Sequence, residues 1–129
     1  MQQTGTGITQ LGRVIIPVSD QDRARKFYTE TLGFEVRSED KMTPDYTWLE
    51  VAPRGAATSI AIVPPPEGGK IGVETGIAFE TPDIEADYSN LKARGVDVDA
   101  EIMRMGDPVP PMFFFRDPDG NTLLITETS

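Results

Sequence analysis

The chain contains no cysteine and no histidine among its 129 residues. The absence of cysteine excludes disulfides, iron–sulfur clusters and cysteine-ligated zinc. The absence of histidine removes the side chain that most often carries protons near neutral pH and that most often binds transition metals. No apolar run approaches the roughly 20 residues that a membrane-spanning helix requires. The range of chemistry open to this protein is therefore narrow.

Basic residues are also scarce: the chain has 12 basic and 21 acidic residues, and its formal net charge is -9. This charge disfavours nucleic acid and anionic membranes as partners and favours neutral or cationic ligands, although solubility alone is a sufficient reason for it. Residues 1–10 lack the basic and apolar regions of a signal peptide, so we expect a frayed start and a cytoplasmic protein. The length suits a single domain with its own core.

A helical pattern occurs twice, 63 residues apart. Asp20, or Ser19 with Asp22 three residues later, caps the first predicted helix, and Asp83 caps the second. A glycine ends each helix, Gly33 and Gly95. Aspartate is a favoured N-cap residue, and glycine readily takes the left-handed conformation that ends a helix. A predicted strand precedes each helix and three predicted strands follow it. The pattern indicates a repeated βαβββ module.

Three consecutive prolines begin the segment between the two repeats, where a strand cannot continue. The sequence therefore predicts module one at about 12–63, a linker at 64–70 and module two at about 71–127. Within the modules, the pattern predicts a loop over 39–45 and a strand over 96–103. We expect an α+β fold in which the modules form a curved mixed sheet shaped like a cup. Each helix covers only one face of its sheet, so the other face must be covered by a second module, a partner subunit or a ligand. We therefore expect a homodimer.

Residues 117–121, with the sequence Asp-Pro-Asp-Gly-Asn, join the last two predicted strands. Proline fixes φ at one position of a tight turn, and glycine supplies the positive φ that such a turn requires. The motif is therefore interpreted first as a hairpin turn.

These motifs in this order resemble the vicinal oxygen chelate superfamily, also called the glyoxalase/bleomycin resistance/dioxygenase family. The resemblance spans Gly12 to Glu127 and is carried by four segments: Val18-Ser19-Asp20, Phe27-Tyr28 with Leu32-Gly33-Phe34, Asp83 to Gly95-Val96, and the turn at 117–121. It implies paired βαβββ modules, often joined across a dimer, around a cavity. Enzymes of the family hold a divalent metal with His, Glu or Gln from four strand positions.

In this sequence the four positions implied by the resemblance are Arg13, Ala61, Gly76 and Leu124. Three of these residues have no side-chain donor atom, and arginine carries a permanent positive charge. A divalent metal needs several neutral imidazole or anionic ligands. The resemblance thus predicts a member without a metal or another cofactor. The alternative is an all-oxygen site built from carboxylates such as Glu50 and Glu80.

Successive side chains of a strand point to opposite faces, which separates a core face from a cup face. On this basis Ile16, Leu49, Phe113 and Phe115 are predicted to pack in the core. The residues predicted to line the cup and bind a ligand are Arg13, Ile15, Trp48, Glu50, Ala61, Gly76, Glu80, Met112, Phe114 and Leu124. An apolar lining with few polar groups is typical of small-molecule sites. Ordinary core packing is the alternative for Trp48 and Phe114.

The leading hypothesis is a metal-free small-molecule binding protein of the bleomycin-resistance type, which sequesters a hydrophobic or cationic aromatic ligand and confers antibiotic resistance. A second hypothesis is a metal-independent lyase or isomerase that uses Glu50 or Glu80 as general base, which requires a carboxylate with a raised pKa. A third is an accessory subunit whose cup is filled by its own side chains.

Overall fold

Two four-stranded mixed sheets form the framework of the protein, for which a computed structural model describes residues 5–128. The strands of the first sheet are β1 (Arg13–Pro17), β2 (Glu35–Thr43), β3 (Tyr46–Ala52) and β4 (Ser59–Val63). Those of the second are β5 (Glu74–Thr81), β6 (Asp97–Val98), β7 (Met112–Arg116) and β8 (Thr122–Glu127). The spatial orders are β1-β4-β3-β2 and β5-β8-β7-β6, so the two sheets have the same topology.

One helix follows the first strand of each sheet, which confirms the predicted βαβββ order. The first, α1 (Gln21–Lys26), begins at Asp20, whose side chain accepts a hydrogen bond from the backbone N–H of Arg23. The second, α2 (Ile84–Ala93), begins at Asp83 in the same way. Each carboxylate satisfies a backbone donor that the helix itself leaves free. Both predicted caps are confirmed.

A single π-helical turn, Phe27–Thr31, continues the first helix. The Leu32 N–H donates to the Phe27 carbonyl, five residues earlier, at 3.0 Å. Gly33 follows with φ +77°, a conformation that glycine adopts without steric cost. The chain can therefore leave the helix at Gly33 and enter β2.

The parallel pairs β1–β4 and β5–β8 have equivalent registers. Ile15 lies beside Ala61 in the first sheet, and Ala78 lies beside Leu124 in the second. Both members of the second pair are 63 residues after those of the first, which is the spacing of the two helix caps. The internal repeat therefore extends from the helices to the pairing of the strands.

One hydrophobic core fills the space between the two modules. The residues predicted to face it are buried on alternate strand positions: Ile16, Leu49, Val51, Phe113 and Phe115. Aromatic rings join the modules, since Phe34 packs edge-on against Phe79 at 5.3 Å between centroids and Phe27 lies 6.4 Å from Phe115. Such ring contacts add to the energy of apolar burial.

Two of the predicted element boundaries were wrong. Residues predicted as a loop over 39–45 largely belong to β2, which extends to Thr43, because that stretch pairs with β3 as a solvent-exposed ribbon. The strand predicted over 96–103 is reduced to Asp97–Val98 and one isolated bridge from Met103 to Met112. Here the Asp99 side chain, rather than a continuing strand, accepts a hydrogen bond from the backbone of β7.

The start of the chain was predicted to be frayed, and its first residues, 1–4, lie outside the described residues. Within residues 5–128, the helices are too short and too polar to cross a membrane.

Candidate functional site

Glu50 lies at the centre of a hydrogen-bond network on the outer face of the first sheet. Its Oε2 accepts from Trp48 Nε1 at 2.7 Å and from Arg13 Nε at 3.1 Å. Its Oε1 accepts from the Ser59 hydroxyl. The carboxylate is only 10% exposed, so these three donors replace most of its hydration. The network holds both the indole ring and the guanidinium group in fixed positions.

The arginine reaches this carboxylate by crossing the neighbouring strand. Arg13 is on β1 and Glu50 is on β3, and β4 lies between them. On β4, Ser59 pairs with Arg13, and the fully buried Ala61 pairs with Ile15 on one side and with Glu50 on the other. Five of the ten predicted site residues therefore lie together on one face: Arg13, Ile15, Trp48, Glu50 and Ala61.

An open cavity of ≈ 480 Å³ adjoins this network at one end of the sheet, and we name it the Trp48 slot. Its volume is within the range of small-molecule sites. Two aromatic side chains and the prolines of the linker dominate its walls. The lining residues are Ile15, Pro17, Asp45, Tyr46, Trp48, Val63, Pro64, Pro65 and Pro66.

The other five predicted residues lie on the outer face of the second sheet. Phe114 pairs with Leu124 across β7 and β8, and Met112 lies two positions before Phe114. All three side chains are half-buried, whereas Glu80 on β5 is exposed. Gly76, with φ +72°, lies where the register of β5 shifts against β8, a conformation suited to glycine.

The structure does not bring the two sets of five together within one chain. Among the described residues, no hydrogen bond, ion pair or ring contact joins the first set to the second. The Trp48 slot contains none of the second set. A separate cavity lined by Gly76 and Glu80 contains none of the first. Each sheet therefore presents one half of the predicted cup.

The four positions at which the resemblance implies metal ligands do not fit a metal. Arg13 is committed to an ion pair with Glu50 at 3.1 Å, and Ala61, Gly76 and Leu124 provide no donor atom. Within residues 5–128, no three carboxylates approach closely enough to form an alternative all-oxygen site. We therefore derive no metal-dependent step for this protein.

The hydrogen bonds to Glu50 also decide its protonation. Donation from Ser59 and Trp48 stabilises the charged form and lowers the pKa of Glu50 below its ordinary value of 4.5, and the charge of Arg13 acts in the same direction. A general base working near neutral pH needs a raised pKa instead. The environment of Glu50 therefore favours a charged carboxylate that stabilises the structure, and not a general base.

Sequence reasoning missed Ser59 and the linker prolines as parts of this site. Strand alternation gives Ser59 the same face as Ala61, yet nothing in the sequence showed that its hydroxyl donates to a carboxylate nine residues away. The segment Pro64–Pro66 was interpreted only as a linker, although it lines the same cavity as Trp48. The position of Pro64, directly after a buried strand, was the one available signal.

Known proteins with similar sequences and folds cover nearly the whole chain. The Bacillus subtilis (strain 168) protein YetH, which is uncharacterized, is 38% identical over 123 residues, covering 93% of this chain and 99% of that protein. TnmS3, an antibiotic binding protein from Streptomyces sp. CB03234, is 35% identical, with a TM-score of 0.82 and coverage of 97% and 100% of the two chains.

A third relative is a crystal structure of a member of the glyoxalase/bleomycin resistance protein/dioxygenase superfamily from Sphaerobacter thermophilus. It is 35% identical, with a TM-score of 0.86, and the match covers 94% of this chain and 98% of that one. The sequence profile of this superfamily matches residues 10–125, which include all eight strands up to Ile125. The chain belongs to the Glyoxalase/Bleomycin resistance protein/Dioxygenase superfamily.

Proposed function

We propose that this protein binds a small molecule without a metal and sequesters it unchanged, in the manner of the bleomycin-resistance type. The observation that carries the proposal is the character of the outer sheet faces. They present Trp48, Ile15, Phe114 and Leu124 beside few polar groups, and the family's metal positions hold no usable ligand. TnmS3, which is an antibiotic binding protein, has the same fold at 35% identity. A hydrophobic or cationic aromatic compound, such as an antibiotic, fits this lining and the net charge of -9.

The complete binding cup in this proposal is formed by a homodimer. Each sheet ends at an unpaired edge strand, β1 in the first and β5 in the second. Ile15 on β1 is 61% exposed, which is unusual for an isoleucine in the middle of a strand. Pairing of β1 with β5 of a second copy would cover both edges and would bring the two sets of predicted site residues to one cavity.

The lyase or isomerase hypothesis has less support. Glu50, the better-placed carboxylate, is held by three donors and its pKa is lowered. The hypothesis would then depend on Glu80, an exposed residue. No contact of Glu80 with another described side chain gives it the environment of a general base.

Equilibrium dialysis against a panel of aromatic antibiotics, followed by mass spectrometry of the recovered compound, tests the proposal. We expect saturable binding of at least one compound, unchanged affinity after treatment with a chelator, and recovery of the compound with its mass intact. Absence of saturable binding across the panel would contradict the proposal. Conversion of the compound by the protein would show instead that it is an enzyme.

A further inference from the structure

The Trp48 slot has an apolar wall on which a flat ring can stack. Trp48 is the only tryptophan of the chain, and its indole N–H is held by Glu50 at 2.7 Å. The ring is therefore fixed before a ligand arrives, which reduces the entropy lost on binding. Pro64–Pro66 line the same slot, and their pyrrolidine rings lose little freedom when a ligand packs on them.

The electrostatic character of the slot is negative. Glu50 does not contribute to this, because its charge is paired with Arg13. Asp45 is the one charged residue among those that line the slot, and its carboxylate makes no hydrogen bond or ion pair with another described residue. A second carboxylate, Asp40, lies directly across the β2–β3 pair from Trp48. Neither carboxylate forms an ion pair with another described residue, and carboxylates without an ion-pair partner near an aromatic ring favour a cation.

We infer that the Trp48 slot binds a planar aromatic cation, with its ring between Trp48 and the linker prolines and its ammonium group beside Asp45. The inference rests on the proposed binding function and adds to it the class of ligand and the residue that selects its charge. Asp45 acts here as a specificity-determining residue through its charge. It is exposed in the turn between β2 and β3 and is not part of the hydrophobic core, so its substitution tests binding rather than folding.

Three naphthalene probes of similar size, which carry a positive, a neutral and a negative substituent, test the inference: naphthylmethylammonium, naphthylmethanol and naphthoate, substituted at the same ring position. Calorimetry gives the affinities of these probes for the wild-type protein. The indole N–H resonance of Trp48 reports the place of binding, because the chain has no other tryptophan. We expect naphthylmethylammonium to bind about tenfold more tightly than naphthylmethanol and to shift this resonance, and we expect naphthoate to bind most weakly.

The Asp45→Asn variant separates the role of the carboxylate from that of the ring. It should weaken the binding of naphthylmethylammonium by about threefold and leave that of naphthylmethanol unchanged. Glu101→Gln is the matched control, since it changes the net charge equally at an exposed position of the other module and should change neither affinity. Trp48→Phe keeps an aromatic ring but loses the bond to Glu50, and it should weaken both probes.

The outcomes distinguish the inference from the function on which it rests. Equal affinities for the three probes, or an Asp45→Asn variant that binds like the wild type, would overturn the charge preference while small-molecule binding stands. Binding without a shift of the Trp48 resonance would overturn the location. Failure of all three probes to bind would overturn the inference, and the antibiotic panel would then decide the proposed function independently.

Discussion

Glu50 shows how a single buried carboxylate can organise a binding surface. It accepts hydrogen bonds from Arg13, Trp48 and Ser59, which come from three adjacent strands. Bonds to a charged acceptor are stronger than bonds between neutral groups. Because the side chain is buried, removal of its charge weakens the bonds from these donors, and water cannot fully replace them. Glu50 therefore contributes to the stability of the sheet as well as to the position of the indole ring.

We predict that Glu50→Gln lowers the free energy of unfolding at neutral pH by about 1 to 3 kcal/mol. The folded pKa of Glu50 is lowered, so its contribution is complete above the unfolded value of 4.5 and is lost as the pH falls through the lower folded value. The fluorescence of Trp48 in the wild type should accordingly change with a midpoint below 4.5. Urea unfolding at several pH values provides the measurement. An identical acid dependence in the variant would contradict the prediction, and Glu101→Gln serves as the control.

Tyr28 is a second residue whose polar atom is buried with a specific partner. Its ring is fully buried, and its hydroxyl donates to Asp117 at 2.9 Å. Burial, followed by the charge of Asp117, raises the pKa of Tyr28 far above its ordinary value of 10.0. The hydroxyl therefore remains a donor at neutral pH, and the stability it supplies is lost only as the pH rises above that ordinary value.

Tyr28→Phe removes this donor and leaves the Asp117 carboxylate with fewer partners in a buried site. We predict a loss of about 1 to 3 kcal/mol in the free energy of unfolding, measured by chemical denaturation at neutral pH. Tyr46→Phe is the matched control, because the Tyr46 hydroxyl bonds to no other residue in the described part of the chain. Equal stabilities of the two variants would show that the Tyr28 hydrogen bond has no net value.

Among the elements, the turn at 117–121 forms hydrogen bonds with several other segments of the chain. It closes the β7–β8 hairpin, as the sequence predicted, with the Gly120 N–H donating to the Asp117 carbonyl. It also binds module one, because Asn121 Nδ2 donates to the Pro17 carbonyl at 2.8 Å. On its other side, Asn121 Oδ1 accepts from the backbone of Gly72 and Val73. One fully buried amide thus joins the end of β1 to the segment that precedes β5.

Asn121→Ala would leave three backbone groups at this junction without their partner. We predict a destabilisation of at least about 2 kcal/mol, since each buried unsatisfied polar group costs on the order of 1 to 3 kcal/mol. Asn90→Ala, at an exposed position of α2, should cost well under half as much. Thermal and urea unfolding of both variants give the comparison. If Asn121→Ala is as stable as Asn90→Ala, the turn serves only as a hairpin.

Local sequence signals explain why the helix caps and the turn at 117–121 were predicted. Contacts between residues far apart in the sequence have no such signal and were not predicted. The caps Asp20 and Asp83 act within three residues, so the sequence alone reveals them. The partners of Asn121 and Tyr28 lie 104 and 89 residues away, and no local pattern specifies such pairs. The strand over 39–43 was missed because it is an exposed polar ribbon, in which the alternation of apolar and polar residues is weak.

At the scale of the whole molecule, the repeat produces two sheets, and the outer face of each carries five of the ten residues predicted to bind a ligand. Burial alternates along β1, β7 and β8 as predicted, because successive side chains of a strand point to opposite faces of the sheet. The alternation contained no information on how the outer faces of the two sheets are brought together. The free edges at β1 and β5 and the exposed Ile15 favour the assembly of the cup from two copies. A cup shared across two subunits and a cup formed within one chain predict different results when altered chains are mixed.

Mixing two complementary variants distinguishes these arrangements. Trp48→Ala alters the module-one part of the proposed cup, and Phe114→Ala alters the module-two part; each variant alone should bind the tightest antibiotic of the panel poorly. If cups form across a homodimer, refolding an equal mixture gives heterodimers with one intact cup and one doubly altered cup, so about one quarter of all sites should recover wild-type affinity. If each cup forms within one chain, the mixture contains no intact site and binding should not recover. Native mass spectrometry of the same mixture supplies the control, because it shows whether heterodimers have formed.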